Sequence, residues 1–233
     1  GHLNTNPKVR LPPGSFKRSK KGYEEIHIPA PEKKTVPAGD LVPISALPAW
    51  AQAAFPGATS LNPVQSACYP VAFGSDEPML LCAPTGAGKT LCAELALARL
   101  FAQPDAGRAV CIVPHAAMVA PRVAAWQKRF AGREVVALTG ETATDLRLLE
   151  LADVVVCTPQ HWDVLSRRWR QRKHVQSVAL YVFDDLHLLG EERGGPTYEV
   201  VCSRARFIAA QLERPTRIVG LAASLANAAD VGE

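Results

Sequence analysis

Nowhere in the 233 residues does an apolar run approach the length of a bilayer span, and no secretory leader is visible. The sequence therefore predicts no membrane partner. The six cysteines include no C-x-x-C pair, and no Cys/His grouping has the spacing of a zinc site. Five of them, Cys82, Cys92, Cys111, Cys157 and Cys202, lie inside apolar runs, so they read as buried free thiols of a reducing compartment. A nucleophilic Ser-His-Asp arrangement is not suggested either. Acidic surplus is also missing: net charge is +4, and the imbalance is local. Residues 1–40 carry eight Lys/Arg against four Asp/Glu. A basic arm suits an acidic partner such as nucleic acid, and it equally suits a solvated tail.

What is present is an alternation. Residues 1–43 are rich in Pro, Lys and Gly, with one alternating stretch at Tyr23–Ile28, and read as an extended basic arm ending in the linker Pro37-Ala38-Gly39-Asp40. From residue 44 to 233, short apolar runs alternate with helical patterns. The spacing predicts strands at Met79–Cys82, Ala109–Val113, Val135–Leu138, Val154–Cys157, Ala179–Phe183 and Arg217–Leu221. It predicts helices at Lys89–Phe101, Val123–Phe130, Gln160–Arg170 and Thr197–Leu212. Strands that are apolar on both faces and separated by helices imply an α/β fold with a doubly wound, mainly parallel sheet. Sites in such sheets lie at the carboxyl ends of the strands.

One motif falls at such an end. Ala83-Pro84-Thr85-Gly86-Ala87-Gly88-Lys89-Thr90 follows a predicted strand and opens a predicted helix, the setting a phosphate-binding loop requires. Gly86 and Gly88 let the backbone curl its N–H groups inward, and the helix N-terminus adds positive potential. Lys89 is placed to reach the β- and γ-phosphates, and the Thr90 hydroxyl to ligate Mg²⁺. The complementary carboxylate is Asp184, followed by Asp185, at the end of the run Ala179–Phe183. Two acids after a strand also suit a plain turn, but beside a phosphate loop the metal role is favoured. The sequence contains no Asn-Lys-x-Asp, which argues against a guanine-specific enzyme.

Asp184-Asp185-Leu186-His187 resembles a DExH box, and with the phosphate loop the chain is similar to the Ski-like superfamily 2 RNA helicases. Leu61-Asn62-Pro63-Val64-Gln65 lies where that family places its adenine-reading Gln, which here is Gln65. Val113–Ala117 resembles motif Ia, Thr139-Gly140 and Thr158–Asp163 the RNA-backbone motifs, and Ala222-Ala223-Ser224 motif III. The run Trp162–Lys173, Thr139–Leu148 and Ser203–Asn227 resemble the second cassette of two-cassette spliceosomal members. Leu11–Phe16 and Lys21–Pro29 resemble the stretch ahead of the first, with the near-identical phosphate loop as the point where the two would join.

The resemblance implies a RecA-like first motor domain at 44–233, binding ATP with Mg²⁺ and lacking the second RecA-like domain. It implies RNA-backbone contacts, spliceosomal protein partners, a nuclear location, and a parent protein that separates the U4/U6 duplex in pre-mRNA splicing. It also implies catalytic roles for Lys89, Asp184 and Asp185, and nucleotide contacts from Gln65 and from Pro84 through Thr90. Three departures weigh against turnover: Asp185 stands where active members carry Glu, Ala222 where they carry Ser, and motif Ia carries His115 and Ala116. Two function classes stay open, an active ATP-driven RNA helicase module and a nucleotide-holding scaffold with weak or absent hydrolysis; the departures favour the second. The cluster Arg167, Arg168, Arg170, Arg172 and Lys173 suits RNA phosphates or protein packing equally. His187 reads as an interdomain switch residue rather than a metal ligand, and Lys17, Arg18, Lys20 and Lys21, beside Phe16 and Tyr23, as a segment suited to RNA or to docking on a neighbouring domain, docking being slightly favoured.

Overall fold

A computed structural model describes residues 11–30, 41–53, 55–104, 106–212, 215–225 and 227–232. The linker expected at 37–40 lies outside the described residues. The chain divides into two units, residues 1–37 and 38–233.

In the first unit the sequence predicts a single strand, and the structure holds a hairpin instead. Strand β1 (Phe16–Lys20) pairs antiparallel with β2 (Tyr23–His27), Lys20 opposite Tyr23. The reversal at Lys21-Gly22 needs the left-handed φ of +95° that Gly22 supplies. The charge-rich first strand hides its pattern, because its only ring, Phe16, is held by cross-strand stacking on His27 at 4.7 Å.

The second unit is a six-stranded sheet flanked by helices. Its strands are β3 (Met79–Cys82), β4 (Arg108–Ile112), β5 (Val135–Ala137), β6 (Val154–Cys157), β7 (Val178–Phe183) and β8 (Arg217–Ala222), in the order β3-β8-β7-β4-β6-β5. All pairings are parallel. Successive strand residues enter opposite cores. Ala109, Cys111, Val154, Val156, Leu180 and Val182 pack on one face, beneath α3 (Lys89–Phe101) and α4 (Val119–Arg129). Val110, Ile112, Val155, Cys157, Tyr181 and Phe183 pack on the other, against α6 (Pro159–Ser166) and α8 (Gly195–Gln211). Two-sided burial explains why these strands read as unbroken apolar runs rather than as alternation. All six cysteines are free, with Cys92, Cys111 and Cys157 buried. No helix of the described residues is long and apolar enough to cross a membrane.

Completing the chain order, α1 is Ala49–Gln52, α2 Pro63–Ala72, α5 Thr142–Leu151, α7 Lys173–Gln176 and α9 Ala228–Gly232. Two helix boundaries differ from the sequence reading by four residues, the others by two at most. α4 starts at Val119 rather than Val123, since Pro121 is tolerated in a first turn, where its missing N–H has no partner to lose. α6 stops at Ser166 rather than reaching Arg170. There the Arg172 guanidinium donates to the carbonyls of Val164 (2.9 Å) and Leu165 (2.6 Å), taking the place of further helical turns. α1, α2, α5, α7 and α9 are additions to the predicted set, α2 and α5 being the longest. In α2 Pro70 argues against a helix, yet Asn62 and Gln65 form a reciprocal capping box ahead of it.

Candidate nucleotide-binding site

The sheet delivers its motifs to one edge. Beyond β3 the ladder continues one step, Ala83 N–H donating to the Ala222 carbonyl at 3.1 Å, and the chain then curls through Pro84–Ala87 into α3. Gly86 and Gly88 both adopt φ of +83°. At Gly88 a second constraint applies, for a Cβ there would sit 2.3 Å from Gln65 Nε2. Asn62 Nδ2 donates to the Ala87 carbonyl (3.0 Å) and Gln65 Nε2 to that of Gly88 (3.2 Å). α2 thus braces the loop from behind. Both groups of the Gln65 amide are engaged, since its Oε1 accepts the Asn62 N–H at 2.9 Å. The Lys89 ammonium folds over its own loop onto the Ala83 (2.8 Å) and Pro84 (3.1 Å) carbonyls. Pro84 and Thr85 are exposed, while Ala87 and Thr90 are half-buried.

Gly88→Ala is expected to weaken binding of a nucleoside triphosphate at least tenfold. Left-handed backbone costs a non-glycine residue roughly 1–2 kcal/mol, and the added methyl displaces the Gln65 amide. Isothermal titration of ATP checks this; unchanged affinity would mean that the loop does not bind through this geometry.

β7 carries Asp184 to the same edge, anchored by its N–H on the Ile112 carbonyl (2.9 Å) and by Tyr198, whose hydroxyl donates to the Asp184 carbonyl at 2.6 Å. The carboxylate is buried. Its Oδ2 accepts Arg122 Nη2 at 2.6 Å, and its Oδ1 accepts the Asp185 N–H at 3.0 Å. Burial pushes the Asp184 carboxyl up from its ordinary value; the Arg122 charge opposes this and the neighbouring Asp185 adds to it. Asp185 takes φ of +53°, the only non-glycine residue among those described with a left-handed backbone, which Asp tolerates better than most. His187 Nδ1 accepts the Ala223 N–H at 3.1 Å, tying the DExH-like loop to the segment after β8. An accepting Nδ1 carries no proton, so its 3.9 Å approach to Asp185 Oδ1 is not an ion pair through that atom.

Two further segments share this edge. The buried Asp145 carboxylate accepts from Thr139 N–H (2.7 Å), Thr139 Oγ1 (2.8 Å) and Gly140 N–H (3.0 Å), fixing the loop after β5. Thr158 caps α6 after β6. In the basic cluster Arg167, Arg168, Arg170 and Lys173 are exposed, and three of its arginines also make contacts within the fold. Arg167 and Arg204 both hold the buried Asp163 carboxylate, Arg170 lies over the Trp169 ring, and Arg172 closes α6.

Sequence reasoning missed Arg122, Asp145, Glu94 and Tyr198. A signal existed for Arg122: it precedes the buried Trp126 and Phe130 by four and eight residues, so it shares their inward face. A cation on such a face calls for a buried acid.

Comparison with known proteins follows the same lines. The profile of the DEAD/DEAH box helicase family matches residues 62–231. The human U5 small nuclear ribonucleoprotein 200 kDa helicase is 44% identical over 217 residues, spanning 88% of this chain and 10% of that protein. The Arabidopsis thaliana DExH-box ATP-dependent RNA helicase DExH12 is 43% identical over 218 residues, 89% of this chain and 10% of that one. Human activating signal cointegrator 1 complex subunit 3 is 43% identical over 195 residues, 82% and 9% respectively. The chain thus spans about a tenth of the length of these relatives. Among solved structures, the DUF1998 helicase MrfA bound to DNA and AMPPNP superposes with a TM-score of 0.65 at 18% identity, covering 83% of this chain and 28% of that one; at that identity the likeness is one of fold.

Proposed function

This chain belongs to the DEAD/DEAH box helicase family, whose members use ATP with Mg²⁺, and we propose that it is the ATP-binding first motor domain of a spliceosomal RNA helicase, holding nucleotide with weak or absent hydrolysis. The observation that carries the reading is the loop Ala83–Thr90 itself: two left-handed glycines, a lysine folded over the loop, and a 13-residue helix whose N-cap position makes no side-chain hydrogen bond. Gly86, Ala87, Gly88 and the start of α3 would cradle phosphate oxygens, with Pro84 and Thr85 at the loop's outer rim. Lys89 would exchange two carbonyl partners for the β- and γ-phosphates. Gln65 would face the base end of the nucleotide after releasing part of its capping box. The Thr90 hydroxyl and Asp184 carboxylate are hard oxygen donors of the kind Mg²⁺ takes, although Arg122 already occupies one oxygen of that carboxylate. The ion would supply charge neutralisation of the phosphates when bound. Asp185 stands at the position that handles the attacking water.

In this reading RNA is held through its backbone at Thr139-Gly140 and Thr158–Asp163, the site is completed by a second RecA-like domain, and spliceosomal proteins in the nucleus are the wider partners. The similarity to U5 ribonucleoprotein helicases supports that context. The test is titration of a fluorescent ATP analogue into the chain, beside phosphate release in the same buffer. Saturable binding with little turnover is expected. Lys89→Ala removes charge-assisted hydrogen bonds worth about 1.5–3 kcal/mol and should weaken binding roughly 10- to 100-fold. Equal affinity in the two proteins would remove the basis for the proposal.

A further inference from the structure

The Asp184 carboxylate already has a cation. Arg122 approaches Oδ2 at 2.6 Å from α4, both side chains are nearly enclosed (12% and 7% exposed), and the other carboxylate oxygen is occupied by the Asp185 N–H. The guanidinium lies over the Trp126 ring, 5.2 Å from its centroid, so its flat face is held while its edge meets the acid. Its Nη1 is buried and has no acceptor among the described residues. This is not the arrangement of a swinging surface arginine. The side chain is clamped, and one buried donor is left over.

A divalent ion coordinated by Asp184 sits about 2.1 Å from a carboxylate oxygen and demands near-octahedral room. A guanidinium nitrogen on Oδ2 fills one approach and places a permanent positive charge against a doubly positive ion. Either Arg122 withdraws from its bed on Trp126, or the ion forgoes Oδ2.

We propose that Arg122 is the resident cation of the Asp184 carboxylate, and that it makes nucleotide binding by this chain nearly independent of Mg²⁺. The proposal rests on the nucleotide-holding reading above and adds to it: the carboxylate that a motor domain reserves for its metal is here neutralised from within. The guanidinium charge then partly replaces what the metal does for phosphate charge.

The experiment compares the unmodified chain with Arg122→Leu, which keeps an apolar stem on Trp126, and Arg122→Gln, which keeps a polar tip without charge. A fluorescent ADP analogue is titrated with 5 mM (about that level) Mg²⁺ or with EDTA, each protein first verified as folded by circular dichroism. The unmodified chain should bind with affinities within about threefold in the two buffers, and both variants should gain about tenfold or more from Mg²⁺. Equal dependence on Mg²⁺ in all three proteins overturns the proposal. Absence of nucleotide binding in every protein instead sinks the reading it rests on. The cation question is then decided without nucleotide, by Mn²⁺ titration followed through water-proton relaxation. Tighter Mn²⁺ binding by either variant, about tenfold, supports the resident cation, and equal binding overturns it.

Discussion

Trp126→Ala should lower the unfolding free energy by about 3–5 kcal/mol, the range for emptying a buried aromatic site. For a chain of this size that corresponds to a fall in Tm of roughly 10 °C or more, readable by calorimetry or thermal circular dichroism. The indole is fully buried under α4, edge-to-face with Phe130 at 6.5 Å, and its N–H donates to Glu94 Oε1 on α3 at 2.9 Å. Truncation therefore opens a cavity and also strips a buried carboxylate of one of its partners. Glu94 keeps Arg129, at 3.1 Å, on its other oxygen. Burial pushes the Glu94 carboxyl above its ordinary value, against the pull of Arg129 and the indole. A raised folded-state value means that Glu94's contribution to stability is complete below the ordinary carboxyl range and is lost as pH climbs through the raised value. Glu94→Gln should flatten that slope while retaining an acceptor for the indole, and should cost less than Trp126→Ala. A loss below about 1 kcal/mol for Trp126→Ala would contradict the packing described for α3 against α4.

The same pair of helices illustrates how much was legible beforehand. Met79–Cys82, Val154–Cys157 and α3 coincide with their sequence-derived limits, because strands buried on both sides and a helix opened by Gly-Lys-Thr leave strong local patterns. The site's principal residues were legible for the same reason: the phosphate loop and the paired acids each follow an apolar run. What escaped was decided by distant partners. Arg122 meets an acid 62 residues away, and Arg204 meets Asp163 from 41 residues away, so neither neighbour is visible in a local window. Thr142–Leu151 has weak helix formers in its first turn and gains its start from the Glu141 carboxylate, which accepts from Ala143 N–H (3.0 Å) and Thr144 N–H (2.6 Å). The arginine-rich run can be read for RNA or for packing, since Trp162 and Trp169 are buried beside it while Arg167, Arg168, Arg170 and Lys173 stay exposed. Charge density alone does not distinguish a phosphate-binding surface from a helix end closed by its own guanidinium groups.

Asp185→Glu, in the full cassette that includes the second RecA-like domain, is the substitution expected to restore turnover, raising the rate of ATP hydrolysis on the order of 100-fold. Asp185 holds the position where active relatives of the resembled family carry a Glu that orients or deprotonates water. An Asp retracts that carboxylate by roughly one C–C bond, about 1.5 Å, and a misplacement of about 1 Å is enough for a loss of that size. Around it, Asp184 is fixed by Tyr198 from behind, and the His187 link to Ala223 joins the loop to the segment after β8. The longer side chain meets one obstacle. At φ of +53° Asp is among the better tolerated residues and Glu is not, so the variant should be less stable by about 1 kcal/mol. Hydrolysis is followed by phosphate release with and without single-stranded RNA, and nucleotide affinity by titration. Affinity should stay within about threefold, because the change acts on water rather than on the phosphates. Asp185→Asn is the companion variant, expected to keep affinity and show no gain. An unmodified chain that already hydrolyses ATP briskly when RNA is added would refute the nucleotide-holding reading. A glutamate that leaves the rate unchanged would shift the cause of weak hydrolysis to Arg122 or to Ala222, each of which has its own reversing substitution in Arg122→Leu and Ala222→Ser.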